Sequence, residues 1–441
     1  MVWTSHPVKQ ITGTLRAPGD KSCSHRALIL GGLAKGTSEI SGLLEGEDVL
    51  NTGRVMAALG ADVERLGEGA WRVTGVGEGG LRSPSVDLDF GNSGTGSRLM
   101  LGVVAGYPVE ARFIGDESLS GRPMGRVLDP LTEMGARYDA SEGKRLPLTL
   151  QGRSDLSAIS YEPPHASAQV KSCILFAGLN AEGETQVREP RITRDHSERM
   201  LRGFGAEVKS QRDGAANIVS IHGGQSLAAQ ETMVPGDPSS AAFLAAAAMI
   251  SPRGGVVVEG MMSNETRDGF YRAAALMGAH VGAEDVGSAA GERLIDMSFE
   301  SADLKGAEIP VDLVPSMIDE FPILAVLAAF ATGTTVVKGA AELRVKESDR
   351  IKAVVAMLRV NGVEVEETED GFIVQGRSGA VPGGGLVETH HDHRIAMSAL
   401  VMGTASQKPV SIDDAAMIAT SYPDFMEHMR VLGADFQQGA S

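Results

Sequence analysis

The chain has only two cysteines, Cys23 and Cys173, among its 441 residues. Two thiols cannot build a disulfide framework, so they are expected to be reduced thiols, both near helix starts. No apolar run is long enough to cross a bilayer. The longest charge-free stretch, Phe321 to Val337, is interrupted by Pro322, Gly333 and three threonines, whereas a span needs about 20 apolar residues. The N-terminal residues show no charged, apolar, small-residue leader, so nothing suggests export and the cytoplasm is the expected location. Positive charge is also scarce. A net charge of -17 argues against nucleic acid or an anionic membrane as a partner. Aromatics are few while Gly and Ala are many, which is ordinary for a soluble globular chain.

What is present is a repeat. A helix-Gly-strand ending recurs six times, as MAALGADVE, LTEMGARYD, LRGFGAEVK, AALMGAHVG, LRVNGVEVE and RVLGADFQ. The glycines are Gly60, Gly135, Gly205, Gly278, Gly362 and Gly433, a period of roughly 70 to 85 residues that marks six copies of one supersecondary unit. Gly at that point suits the left-handed conformation in which a helix ends and the chain turns into a strand. In phase with these endings, each unit opens on an apolar helix: SHRALILGGLAKG, TGSRLMLGVVAG, SAQVKSCILFAGL, SSAAFLAAAAMI, DEFPILAVLAAFATG and HRIAMSALVMG. Helices apolar on every side belong inside a large core. The length fits two domains of about 200 residues, three units in each.

Against the acidic background, cations gather at helix starts and turns: Lys21, Arg26, Arg98, Arg122, Arg126, Lys171, Arg194, Lys346, Arg350 and Arg394. Helix N-termini carry free N–H groups and partial positive charge, so the pattern predicts sites for phosphate or carboxylate groups.

The stretch PGDKSCSHRALIL (18–30), with GNSGTGSRLM (91–100), SGRPMGRV (120–127), SAQVKS (167–172), VPGDPSSAAF (234–243), DEFP (319–322), RVKESDRI (344–351), DHRIAMS (392–398) and SYPDF (421–425), resembles the enolpyruvyl transferase family over nearly the whole chain. The resemblance implies an α/β fold of two similar domains, each of three β-α-β-α-β-β units arranged as an inside-out barrel, with the active site in the interdomain cleft. It also implies that domain one takes residues 1–18 and 235–441, and domain two takes 19–234. The implied reaction moves the enolpyruvyl group of phosphoenolpyruvate to the 5-hydroxyl of shikimate 3-phosphate, releasing phosphate. It proceeds through a tetrahedral intermediate, with no metal, no organic cofactor and a monomeric enzyme.

Carried over by motif, Lys21, Ser22, Arg26, Ser167, Ala168, Gln169, Arg194, Asp319 and Lys346 are expected to bind shikimate 3-phosphate. Lys21, Gly94, Arg122, Gln169, Arg350 and Arg394 are expected to bind phosphoenolpyruvate. Asp319, Glu347 and Lys21 are expected to carry the proton chemistry, with Asp319 as the base for the 5-hydroxyl. The pair Asp319-Glu320 also reads as a helix N-cap. This chain departs from many relatives at Ala168 (Ser), Leu99 (Pro) and Thr420 (Lys). Gly94 leaves room for glyphosate, which in the family occupies the phosphoenolpyruvate site, so inhibition is the expectation.

Other readings fit these residues less well. His390, His391 and His393 lack zinc-site context and read as a polar turn before a helix. GNSGTG lacks the third spaced Gly of a dinucleotide loop. The sibling transferase that uses UDP-N-acetylglucosamine carries Asn after the first Lys and a Cys in its mobile loop, where this chain has Ser22 and the Cys-free GDESLSGRPMG (115–125). An RNA 3′-phosphate cyclase-like enzyme would want a basic surface. A non-catalytic scaffold would have no reason to repeat cations at helix starts.

Overall fold

The computed structural model describes residues 1–214, 216–289 and 291–439. All six repeat glycines adopt positive φ, from 78° at Gly362 to 112° at Gly60. An L side chain there would be strained. Each glycine therefore ends one helix and starts one outer strand: Asp62–Gly67, Arg137–Ser141, Val208–Asp213, Val281–Ala289, Glu364–Thr368 and Asp435–Gln438.

The six apolar segments form the helices Lys21–Leu33, Gly94–Ala105, Ala168–Gly178, Pro238–Ile250, Phe321–Phe330 and His393–Gly403. Nearly every residue in them is buried. No described helix is long and apolar enough to cross a membrane. A second, amphipathic helix follows in each unit, for example Glu47–Ala58 and Arg350–Val360.

Among the described residues the strands form six small sheets, five of them mixed. In the complete pattern an opening strand pairs in parallel with the strand after the buried helix, as Leu88–Asp89 does with Glu110–Ile114. That strand then pairs antiparallel with the closing hairpin. Three of the described sheets borrow a strand from far along the chain, one of them by pairing Ile11–Arg16 in parallel with Gly254–Ser263. Glu231–Met233 pairs in parallel with Thr37–Ser41, and the N-terminal Trp3–His6 lies between Val410–Ile412 and Asp435–Gln438. One sheet keeps only three strands. Its opening strand is reduced to isolated bridges at Lys305–Thr332 and Glu308–Val336, and Pro310, which has no N–H to donate, follows directly.

The chain separates into two compact units. One comprises Met1–Pro18, Gly236–Gly287 and the residues from Arg293 onward. The other comprises Gly19–Pro235 and the short stretch Ser288–Glu292.

Candidate active site

In the Gly19–Pro235 unit, the helix Lys21–Leu33 is capped by Asp20, whose carboxylate accepts from the Cys23 N–H at 2.7 Å. The cap fixes the first turn and presents Lys21 at its start. Lys21 forms an ion pair with Asp48 of the neighbouring helix and stays partly exposed, its side chain at 28%. Arg26 lies one turn deeper and is buried. Its guanidinium donates to the Ser22 carbonyl at 2.9 Å, Ser197 Oγ at 2.8 Å and Ser172 Oγ at 3.0 Å. Burial holds its pKa below the usual arginine value, only partly offset by nearby anionic groups. His25 is fully buried against Thr52 Oγ1 at 2.8 Å. Burial first, then the Lys21 charge, push it down to about 3, so this imidazole is neutral at physiological pH.

A second cluster forms where the helices Gly94–Ala105 and Ala168–Gly178 meet. Arg98 donates to Gln169 Oε1 at 2.8 Å, and Gln169 Nε2 donates back to Thr95 Oγ1 at 3.0 Å. Gln169 is thereby locked in orientation. Burial, then the charges of Arg126 and Arg122, lower Arg98 to about 10. Arg122 is held by Asn92 Oδ1 at 3.0 Å and Ser118 Oγ at 3.1 Å. Gly94 sits between the two guanidinium groups: a methyl group on it would stand 3.2 Å from Arg122 Nη1 and 3.3 Å from Arg98 Nη1. Ser167 caps its helix, its Oγ accepting from the Val170 N–H at 3.5 Å. Ala168 is the first residue of that helix, and Arg194 is half-buried in the turn before the helix His196–Gly203.

Lys171 is a correction to the pattern of cations at helix starts. It is buried, paired with Glu189 at 2.9 Å and Glu198 at 2.7 Å, and both carboxylates are buried too. Its charge is neutralised internally, so it offers nothing to a substrate anion. Cys173 likewise lies in mid-helix rather than at a helix start, and burial raises its thiol pKa.

In the other unit, Arg350 is the hub. It opens the helix Arg350–Val360 and is wholly buried. It donates to Asp392 Oδ2 at 2.8 Å and to Asp319 Oδ1 at 3.3 Å, and lies 2.6 Å from Glu347 Oε2. Burial alone would depress Arg350, but Asp392, Glu347 and Asp319 outweigh it, so the guanidinium stays charged. Asp392 shows the reverse balance: burial pushes it up, and Arg350 pulls it below the ordinary aspartate range. Lys346 approaches Asp319 Oδ1 at 3.7 Å and Glu342 at 3.1 Å. Arg394 lies 3.7 Å from Glu320 Oε1.

Asp319 and Glu320 both precede the helix Phe321–Phe330; Glu320 occupies the N-cap position and its side chain makes no cap hydrogen bond. Asp392 does cap its own helix, accepting from the Arg394 N–H at 3.0 Å. His390 and His391 form the turn before it, both with positive φ and both exposed.

The structure thus gathers Lys21, Ser22 and Arg26 in one cluster, Gly94, Arg122 and Gln169 in a second, and Asp319, Lys346, Glu347, Arg350 and Arg394 in a third. Three participants were not singled out from sequence: Asp48, Thr95 and Asp392. Asp48 and Asp392 sit at helix starts, where acidic residues read as caps. Only the tertiary partner shows them to be counter-ions.

The family model described as EPSP synthase (3-phosphoshikimate 1-carboxyvinyltransferase) matches residues 5–429. The chain is 66% identical over 438 residues to a 3-phosphoshikimate 1-carboxyvinyltransferase of Hyphomonas neptunium, covering 99% of this chain and 100% of that one. It is 56% identical over 428 residues to the protein of the same name from a Bradyrhizobium species, covering 97% and 96%. Among solved structures, EPSP synthase from Acinetobacter baumannii superposes with a TM-score of 0.92 at 42% identity, covering 99% of this chain and 100% of that one.

Proposed function

The chain belongs to the EPSP synthase family, and from that premise we propose that it transfers the enolpyruvyl group of phosphoenolpyruvate to the 5-hydroxyl of shikimate 3-phosphate. The product is 5-enolpyruvylshikimate 3-phosphate, an intermediate on the shikimate route to aromatic amino acids, and phosphate leaves. The observation that carries this reading is the cluster at Asp319, where one carboxylate oxygen faces both Arg350 and Lys346.

The reaction has to hold two polyanions, protonate the phosphoenolpyruvate methylene carbon as the hydroxyl oxygen bonds to its neighbour, and then reverse the proton transfer to expel phosphate. Asp319 takes the 5-hydroxyl proton. Lys21, Glu347 and Lys346 handle the remaining proton traffic, and Lys346 also contacts the sugar substrate. The phosphoenolpyruvate anion is held by Lys21, Arg122, Arg350, Arg394, Gln169 and the Gly94 turn. Arg350 is already saturated with carboxylates, so an incoming anion has to displace one. Glu347 is the replaceable partner, with its side chain 44% exposed while Asp392 is fully buried. Lys21, Ser22, Arg26, Ser167, Ala168, Gln169 and Arg194 hold shikimate 3-phosphate, Arg26 by a guanidinium whose protein bonds are mostly to neutral hydroxyls. The step needs no metal or organic cofactor, and the enzyme acts as a cytoplasmic monomer.

The test is phosphate release by the purified chain. Release is expected only when phosphoenolpyruvate and shikimate 3-phosphate are both present. Release with UDP-N-acetylglucosamine in place of shikimate 3-phosphate, or with neither acceptor, would refute the assignment.

A further inference from the structure

Three chemically soft or coordinating atoms converge beside the Arg26 cluster. Cys23 Sγ lies 3.9 Å from His196 Nδ1, and the same Nδ1 lies 2.8 Å from Glu292 Oε1. The three ligand atoms all fall within 4.8 Å of one another, and all three residues are buried. All belong to one compact unit, Glu292 through the short stretch Ser288–Glu292.

The arrangement is not that of a nucleophile, base and orienting acid. Such a relay uses both imidazole nitrogens, one toward the nucleophile and one toward the acid. Here thiol and carboxylate meet at a single nitrogen. Nδ1 can donate its one proton to the carboxylate or accept from the thiol, but not both at once. A cation in place of that proton satisfies all three atoms together. We propose that Cys23, His196 and Glu292 form a binding site for a zinc-class divalent cation, separate from the enolpyruvyl-transfer chemistry.

The distances suit such an ion. Zinc bonds of about 2.3 Å to sulfur and about 2.0–2.2 Å to nitrogen and oxygen, in tetrahedral geometry, require separations of about 3.6 Å between sulfur and nitrogen and about 3.4 Å between nitrogen and oxygen. Binding therefore draws the thiol in by a few tenths of an ångström and moves the carboxylate out by about half an ångström. Charge also balances, since thiolate and carboxylate together neutralise a dication. Nearby cations oppose the ion, and both are already engaged. Arg199 lies 3.6 Å from the second carboxylate oxygen, Glu292 Oε2, and is held by Asp195 Oδ2 at 2.7 Å. Arg26 is bound to Ser197, Ser172 and the Ser22 carbonyl. Arg199 thus acts as the outer partner that orients a ligating carboxylate. The ion would tie the first turn of the helix Lys21–Leu33 to the helix His196–Gly203 and so stiffen the backbone that carries Lys21 and Ser22.

The test uses the full-length chain, stripped of metal and refolded with one equivalent of Co²⁺ so that burial does not bar entry. A near-ultraviolet thiolate-to-cobalt charge-transfer band is expected, with the intense visible bands of four-coordinate cobalt. One equivalent of Zn²⁺ should bleach both. The charge-transfer band should vanish in Cys23→Ser and persist in Cys173→Ala. Glu292→Gln should weaken Zn²⁺ binding about tenfold or more, and this variant decides the matter if Cys23→Ser does not fold. Absence of the band in the parent chain, its survival in Cys23→Ser, or unchanged affinity in Glu292→Gln would each overturn the site. The exposed histidines His390 and His391 cannot mimic the result, because they supply no thiolate.

Discussion

Asp319 and Gly94 are the residues whose surroundings constrain their roles most tightly. Asp319 faces two cations, Lys346 and Arg350, through a single oxygen. Asp319→Asn keeps the shape and removes the base, so turnover should fall by about 10²–10⁴-fold with substrate binding nearly intact. Single-turnover kinetics with separately measured dissociation constants check this, and a variant retaining more than about a tenth of the parent rate would remove Asp319 from the role. Arg122→Ala and Arg394→Ala should each raise the KM for phosphoenolpyruvate far more than that for shikimate 3-phosphate, by an amount corresponding to about 2–5 kcal/mol. Equal weakening toward both substrates would mark these arginines as structural. Gly94→Ala places a methyl group against Arg98 and Arg122 at 3.2–3.3 Å, tighter than comfortable contact. Glyphosate, the longer ligand, should then lose more affinity than phosphoenolpyruvate. The comparison is the inhibition constant against the KM in both proteins, and equal losses would show that crowding at this position does not discriminate.

At the scale of elements, the second cluster depends on two helices approaching unusually closely. A methyl group on Gly102 would stand 2.1 Å from the Cys173 carbonyl oxygen on the facing helix. That obstacle is backbone and cannot rotate away. The close approach brings Arg98 and Thr95 within hydrogen-bonding reach of Gln169. Gly102→Ala should destabilise the chain by about 1–3 kcal/mol or more and should also raise the KM for phosphoenolpyruvate. Denaturant titration alongside kinetics tests this, and an unchanged midpoint would mean the helices can part at little cost. The helix His393–Gly403 relies instead on charge, since Asp392 both caps it and neutralises buried Arg350. Because the folded pKa of Asp392 is depressed, its stabilising contribution is present above the ordinary aspartate range and lost as the pH falls through the folded value. Asp392→Asn should therefore cost about 3–5 kcal/mol at neutral pH, and the cost should shrink in strong acid. Urea midpoints at neutral and acidic pH make the comparison, and a pH-independent difference would contradict the electrostatic account.

The molecule as a whole is acidic, yet its candidate site residues are rich in arginine and lysine. Substrate anions therefore meet locally positive ground on a repelling background, and part of their affinity comes from charges too distant to touch them. Raising ionic strength from about 0.1 M to about 1 M shortens the screening length from about 10 Å to about 3 Å. The KM for each substrate should rise accordingly, while kcat should change much less. Salt-independent KM values would mean that only contact pairs matter.

The repeat, the buried helices and the left-handed glycines that join helix to strand are legible in the sequence, because these are local properties. A positive φ needs a residue without Cβ, and an apolar stretch of helix length needs a core, whatever lies elsewhere in the chain. The motif resemblance pointed to the family in the same way, since motifs are contiguous. What the sequence could not reveal is how each cation is used. Lys171 and Lys21 both lie in the first turns of apolar helices, yet Lys171 is neutralised by Glu189 and Glu198 while Lys21 stays partly open beside Asp48. Arg26 meets Ser197 across 171 residues of chain, and Cys23 meets His196 across 173. Sheet assembly is non-local too, with the strand Glu231–Met233 completing a sheet that begins at Thr37. Tertiary structure decided these points because Coulomb interactions and hydrogen bonds depend on distance in space, and only the packed helices and sheets set which distant residues become neighbours.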